Sequence, residues 1–139
     1  MAGLYQGGRV DVVVGPAMGG VIMAYAVARG LGVRSIFAER ENGKMTFRRG
    51  FHVNPGERVL VVEDVVTTGG SVREVIELLR KTGAEVAGVG AVVDRSGGSV
   101  DFGVPFRPLM CMEARKWEES ECPLCREGIP IDKPGSRAV

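Results

Sequence analysis

The stretch Arg58-Val59-Leu60-Val61-Val62-Glu63-Asp64-Val65-Val66-Thr67-Thr68-Gly69-Gly70-Ser71 decides the fold of this chain. Its apolar run has no polar alternation, so the strand it predicts is covered on both faces, as in a parallel sheet. The run ends in two adjacent carboxylates, then a turn of small hydroxyl and glycine residues, then a helix start. In open α/β sheets, ligands sit outside the carboxyl ends of the strands. Two acids and such a turn at that place suit a ligand bearing both sugar hydroxyls and a phosphate.

Upstream, Arg9 to Val14 reads as a first buried strand running into Gly15-Pro16-Ala17-Met18-Gly19-Gly20. A helix follows from about Gly20 to Arg29, stopped by Gly30 and Gly32. Val33 to Ala38 is a second strand. Glu39 to Gly50 is polar and without period, which predicts a long, mobile loop of the kind that carries function in a compact domain. Phe51 to Val53 reads as a short strand, and Asn54-Pro55-Gly56 as a turn.

Downstream, the helix over Val72 to Lys81 has a capping box, Ser71 with Glu74, and one apolar stripe of Val72, Val75, Ile76 and Leu79. Arg80 and Lys81 suit its negative end, and Gly83 stops it. Glu85 to Val93 is a strand closed by Asp94-Arg95-Ser96-Gly97-Gly98, and Leu109 to Met112 a late strand. The tail from Glu119 to Val139, rich in Pro, Gly and charge, is expected on the surface. Strands alternating with helices give one α/β domain, a mostly parallel sheet flanked by helices with right-handed crossovers.

Composition excludes several functions. Eighteen basic against seventeen acidic residues leave a net charge of +1, no field for gathering nucleic acid or anionic lipid. The longest apolar run, Val21 to Ala28, is too short to span a bilayer, and no signal segment opens the chain, so a cytoplasmic protein is expected. Cys122-Pro-Leu-Cys125 has zinc-knuckle spacing, but four ligands would require Cys111 and His52 to converge on it. Two reduced cysteines in a turn are the expectation.

Two common phosphate motifs are absent: no Gly-x-x-x-x-Gly-Lys-Ser/Thr occurs, and no Gly-x-Gly-x-x-Gly follows the first strand. What remains is the acid pair with its turn. Backbone N–H groups of a glycine turn make an anion-binding nest, which the helix dipole strengthens. Thr67, Thr68 and Ser71 add hydroxyl donors, and Glu63 and Asp64 suit a ribose diol or a hydrated magnesium ion.

From Val59 to Ser71 the chain resembles, residue by residue, the ribose-phosphate signature of the phosphoribosyltransferase family. Further segments are similar to its orotate-using branch: Val14 to Gly20, Glu39 to Gly50, Val93-Asp94-Arg95, Glu121 to Cys125 and Lys133 to Arg137. The resemblance implies transfer of a phosphoribosyl group from phosphoribosyl pyrophosphate to orotate, with Mg2+ held mainly by the substrate rather than by direct protein ligands. It implies that Glu63 and Asp64 bind the ribose hydroxyls, that Thr67, Thr68, Gly69, Gly70 and Ser71 cradle the 5-phosphate, and that Val65 and Val66 complete the segment that binds phosphoribosyl pyrophosphate. Pro16, Ala17, Met18, Gly19 and Gly20 would form a pyrophosphate loop. Thr67 and Arg95 would meet orotate, the arginine through its planar fork on the carboxylate. Arg40 and Lys44, on a mobile loop, would neutralise the leaving pyrophosphate. A homodimer follows too, because in the family this loop reaches over the neighbouring subunit's site.

The chain departs from the family pattern in places. Members carry a hood of about fifty residues before the first sheet strand. Only Met1 to Gly8 precede it here, so the expectation is a single core domain over residues 1–139 without that hood. The acid pair is Glu-Asp rather than Asp-Asp, Thr46 stands where some relatives have histidine, and Arg48 and Arg49 come late in the loop. Three alternatives stay open at this point. One is a transferase for another base, against which Arg95 argues because purines lack a carboxylate. The others are a non-catalytic regulator that binds phosphoribosyl pyrophosphate and a fragment that binds phosphate only.

Overall fold

The apolar run becomes the centre of β4 (Arg58–Val66) in a computed structural model that describes residues 1–113 and 117–130. Val59, Leu60, Val61 and Val62 are completely buried, as a strand covered on both faces requires. Around it lie β1 (Val12–Pro16), β2 (Arg34–Glu41), β3 (Lys44–Thr46), β5 (Glu85–Asp94) and β6 (Phe106–Cys111). Among the described residues the sheet runs β3-β2-β1-β4-β5-β6, parallel throughout except for β3, which is antiparallel to β2.

Helices cover the two faces. On one, α1 (Gly19–Leu31) brings Ala24, Val27 and Ala28 onto Val13, Leu60 and Val62, with Tyr5 closing the edge. On the other, α2 (Gly70–Thr82) lays Val72, Val75, Ile76 and Leu79 against Val12, Val14, Val59 and Val61. The predicted stripe is therefore the buried one. Each of those four side chains contributes about 1.5–3 kcal/mol relative to exposure.

Several expected boundaries move. β1 starts at Val12 rather than Arg9, β2 runs on to Glu41, and the last strand is Phe106–Cys111 rather than Leu109 to Met112. α1 continues to Leu31 and ends on Gly32, which is left-handed at φ 70. Gly30 stays inside the helix; a Cβ there would lie 2.9 Å from the Ala2 side chain, so its role is close packing. Phe51 to Val53 form no strand: Val53 is buried, and Phe51 meets Phe37 edge to face at 5.0 Å.

The expected aperiodic loop over 39–50 is partly a hairpin. Asn42 (φ 50) and Gly43 (φ 77) make a two-residue turn with both residues left-handed, which pairs Glu41 with Lys44 and Glu39 with Thr46. The capping box also fails. α2 begins on Gly69, left-handed at φ 74, with no side-chain cap, while the Glu74 carboxylate accepts Arg40 Nη2 at 2.7 Å instead. Of the expected surface tail, residues 119–130 are described and contain the short α3 (Pro123–Arg126); the remainder lies outside the described residues.

This topology singles out one place. The chain builds outward from β1 to β2 and β3, then returns to the other side of β1 with β4. The carboxyl ends of β1 and β4 flank the resulting switch point, where open α/β sheets bind ligands.

Candidate active site

Both strands at the switch point run straight into helices, and neither helix start has a side-chain cap. α1 begins after Met18 and α2 after Gly69, so the first N–H groups of each are free to meet an anion. The turn before α1 is too tight for side chains. A Cβ on Gly15 would run into the Gly20 carbonyl, one on Gly20 would lie 2.8 Å from Pro16 Cδ, and one on Gly19 would strike the Asp64 carboxylate. The predicted pyrophosphate loop, Pro16 to Gly20, thus closes directly against Asp64. Its Ala17–Met18 peptide is cis.

Alternation along β4 separates the two acids. Asp64 is exposed and faces Gly19; its Oδ1 accepts the Val65 N–H at 2.6 Å. Glu63 is 8% exposed and lines a cavity of about 150 Å3 together with Arg40, residues 65–72 and Glu74. Glu63 Oε1 accepts the Asp64 N–H at 3.1 Å. Burial, and then the hydrogen bond and charge of Asp64, push the Glu63 carboxyl up to about 8. The turn Thr67 to Ser71 forms much of the wall of that small cavity.

That shift has a consequence for stability. A raised folded-state value means that the folded chain holds a proton the unfolded chain has released, from the ordinary value of 4.5 up to about 8. The contribution is fully present below about 4.5 and is lost as pH rises through about 8. Glu63→Gln is expected to remove this component, so its melting temperature should decline less than that of the parent chain over the interval. Parallel slopes in melts across the interval would refute the burial argument.

A second, larger cleft of about 890 Å3 opens on the other side of the turn. Thr67 and Thr68 line it together with Arg95, Ser96, Cys111 and Met112. The Arg95 backbone N–H donates to the Val66 carbonyl at 2.7 Å, which ties its position to the end of β4. Among the described residues its guanidinium has no hydrogen-bond or ion-pair partner. Residues 111 and 112 arrive because β6 lies parallel to β5, with Cys111 beside Asp94 and Met112 N–H on the Asp94 carbonyl at 2.8 Å.

Sequence reasoning missed Arg73. Its Nη1 donates to the Thr68 carbonyl at 2.6 Å and its Nη2 to the Asp101 carbonyl at 3.1 Å, while the guanidinium stacks on Phe102 at 5.5 Å. Phe102 and Val100 in turn press on Gly69, where a Cβ would lie 2.8 Å from the Phe102 ring. The turn is held at the Thr68 carbonyl and braced behind Gly69. No local sequence signal marks Arg73; only the approach of residues 100–102 explains it.

The hairpin residues divide. Arg40 lines the small cavity and is pinned by Glu74. Lys44 lies in a separate groove with Glu74, Glu77 and Lys81, and lines neither of the cavities that meet at Thr67. Arg48 and Arg49 pair with Glu39, and Arg48 also with Glu41, at 3.1 to 3.8 Å. Among the described residues no three His, Cys, Asp or Glu side chains cluster as metal ligands.

A family model described as phosphoribosyl transferase domain matches residues 2–102. The chain is 62% identical over 139 residues to orotate phosphoribosyltransferase of Caldanaerobacter subterraneus, covering all of this chain and 73% of that protein. Against the orotate phosphoribosyltransferase of Thermotoga maritima it is 64% identical over 130 residues, 94% of this chain and 70% of the relative. Among solved structures, adenine phosphoribosyltransferase from Thermoanaerobacter pseudethanolicus superposes with a TM-score of 0.70 at 18% identity, over 80% of this chain and 76% of that one. That last likeness concerns the fold alone.

Proposed function

We propose that this chain, which belongs to the phosphoribosyltransferase family, transfers the phosphoribosyl group from phosphoribosyl pyrophosphate to orotate, giving orotidine 5′-monophosphate and pyrophosphate. One observation carries the reading: the turn at Thr67-Thr68 is the shared wall of two cavities. The smaller holds Glu63 and the start of α2, and the larger holds Arg95. A sugar phosphate seated in the first and a carboxylate-bearing base in the second would meet across Thr67.

In the transfer, orotate N1 forms a bond to the anomeric carbon as the bond to the pyrophosphate oxygen breaks. The chain has little covalent work to do. The α2 turn fixes the 5-phosphate, Glu63 and Asp64 take the ribose hydroxyls, and Arg95 orients the base through its carboxylate. The uncapped start of α1 faces the charge that builds on the departing pyrophosphate. Magnesium bound to the diphosphate would supply further neutralisation, with Asp64 as the nearest open carboxylate. Arg40 and Lys44 would reach the pyrophosphate only after movement of the hairpin, which also excludes water. The test is loss of orotate absorbance on mixing the chain with phosphoribosyl pyrophosphate, orotate and magnesium; donor binding without turnover would overturn the enzyme reading.

A homodimer and a cytoplasmic location go with this reading, the hairpin of one subunit serving its partner's site. No helix among the described residues is long and apolar enough to cross a membrane. Met18, just before α1, and Ile22 and Tyr25 on it are 85, 72 and 60% exposed, an apolar stripe beside the glycine loop that a second copy would cover. Ile22→Glu is expected to weaken self-association about tenfold or more, read by sedimentation equilibrium. A parent chain that sediments as a monomer at micromolar concentration would remove the dimer from the proposal.

A further inference from the structure

Cys122 and Cys125 take no part in the transfer site described above. Cys122 stands immediately before α3, and its Sγ accepts the Cys125 N–H at 3.4 Å. This folds two thiols, three residues apart, against one another; both are half-buried and neither is in a disulfide. One helical turn places Cα atoms about 5–6 Å apart, the separation that a disulfide spans. Pro123 occupies the first helical position, where its missing N–H removes no intrahelical bond, and so holds the turn in place.

The two sulfurs are not equivalent. Hydrogen bonds from the Cys125 backbone and side chain, assisted by the charge of Arg126, hold the Cys122 thiol below the ordinary range. Cys125, acting as donor to Cys122, is pushed up. A structural zinc takes four ligands, and among the described residues these two sulfurs gather with no third His, Cys, Asp or Glu.

We propose that Cys122 and Cys125 form a redox-active dithiol that exchanges with small-molecule disulfides, Cys122 attacking and Cys125 resolving. The Cys122 thiolate attacks one sulfur of a disulfide such as oxidised glutathione; a mixed disulfide forms and one glutathione thiolate leaves. Cys125 then gives its proton to solvent and attacks the Cys122 sulfur. The intrachain disulfide forms as the second glutathione departs. Two protein thiols are oxidised and one glutathione disulfide is reduced to two thiols.

The experiment uses the full chain carrying Cys111→Ser, so that only this pair reports, treated with oxidised glutathione under native conditions and followed by intact mass. The expected product weighs about 2 Da less than the starting chain and retains no glutathione. Adding Cys125→Ser should trap one glutathione on Cys122. Adding Cys122→Ser should instead slow the reaction about tenfold or more, because Cys125 lacks the backbone N–H bonds and the Arg126 charge that Cys122 keeps in the other variant. Equal rates for the two single-cysteine chains, a retained adduct when both cysteines are present, or bound zinc that blocks exchange would each overturn the proposal.

Discussion

Asp64→Asn is expected to lower kcat/KM for orotate phosphoribosylation about a hundredfold or more, close to 3 kcal/mol of transition-state stabilisation, without shifting the melting temperature. The two halves of the expectation have separate causes. The side chain is exposed and its hydrogen bonds reach only its chain neighbours, Glu63 and the Val65 N–H, so folding draws little on it. Its carboxylate nonetheless stands at the closed end of the glycine loop, opposite Gly19, where donor hydroxyls or a hydrated cation would need a negative charge. Asparagine keeps the size and loses the charge, so the variant isolates that term. Steady-state kinetics with a parallel thermal melt decide the matter: retained turnover would remove Asp64 from the site, and a collapsed melt would move its role to folding.

Arg95→Ala should raise KM for orotate steeply, with kcat/KM falling about a hundredfold or more, while affinity for phosphoribosyl pyrophosphate changes little. The guanidinium lines the larger cleft, and among the described residues nothing else pairs with it, so truncation leaves no protein carboxylate stranded. Its backbone bond to Val66 survives the substitution, and the phosphate turn should therefore keep its shape. Arg95→Lys retains the charge but not the planar fork, and is expected to recover only part of the loss. Calorimetry with each substrate alone separates the outcomes. Equal weakening toward both substrates would mean that Arg95 organises the turn rather than receiving the base.

Much of this architecture could be read from local pattern. The run at 59–62 and the stripe at 72, 75, 76 and 79 are buried as expected because hydrophobic period alone determines which side chains leave water. The hairpin escaped that reading because its ordering does not come from period: an Asn42-Gly43 turn and ion pairs from Arg40, Arg48 and Arg49 hold it. The Asn42-Gly43 pair is itself a hairpin signal, independent of apolar alternation. Ser71 and Glu74 have the spacing of a capping box, yet Gly69 occupies the cap and a partner 34 residues away takes the carboxylate. Arg73, Cys111 and Met112 were invisible for a related reason. Cys111 and Met112 reach the site by pairing of β6 with β5, and Arg73 is fixed there by Asp101 and Phe102, contacts on which sequence spacing has no bearing.

The uncapped starts of α1 and α2 carry a practical lesson for mutational mapping. If peptide N–H groups hold the phosphates, no side-chain truncation deletes them, and an alanine scan would pass over half of the site in silence. The informative substitutions there add carbon instead of removing it. Gly15, Gly19, Gly20 and Gly69, where a methyl group collides with a carbonyl, a carboxylate, a proline ring or an aromatic edge, are the positions at which a scan would register the phosphate-binding half.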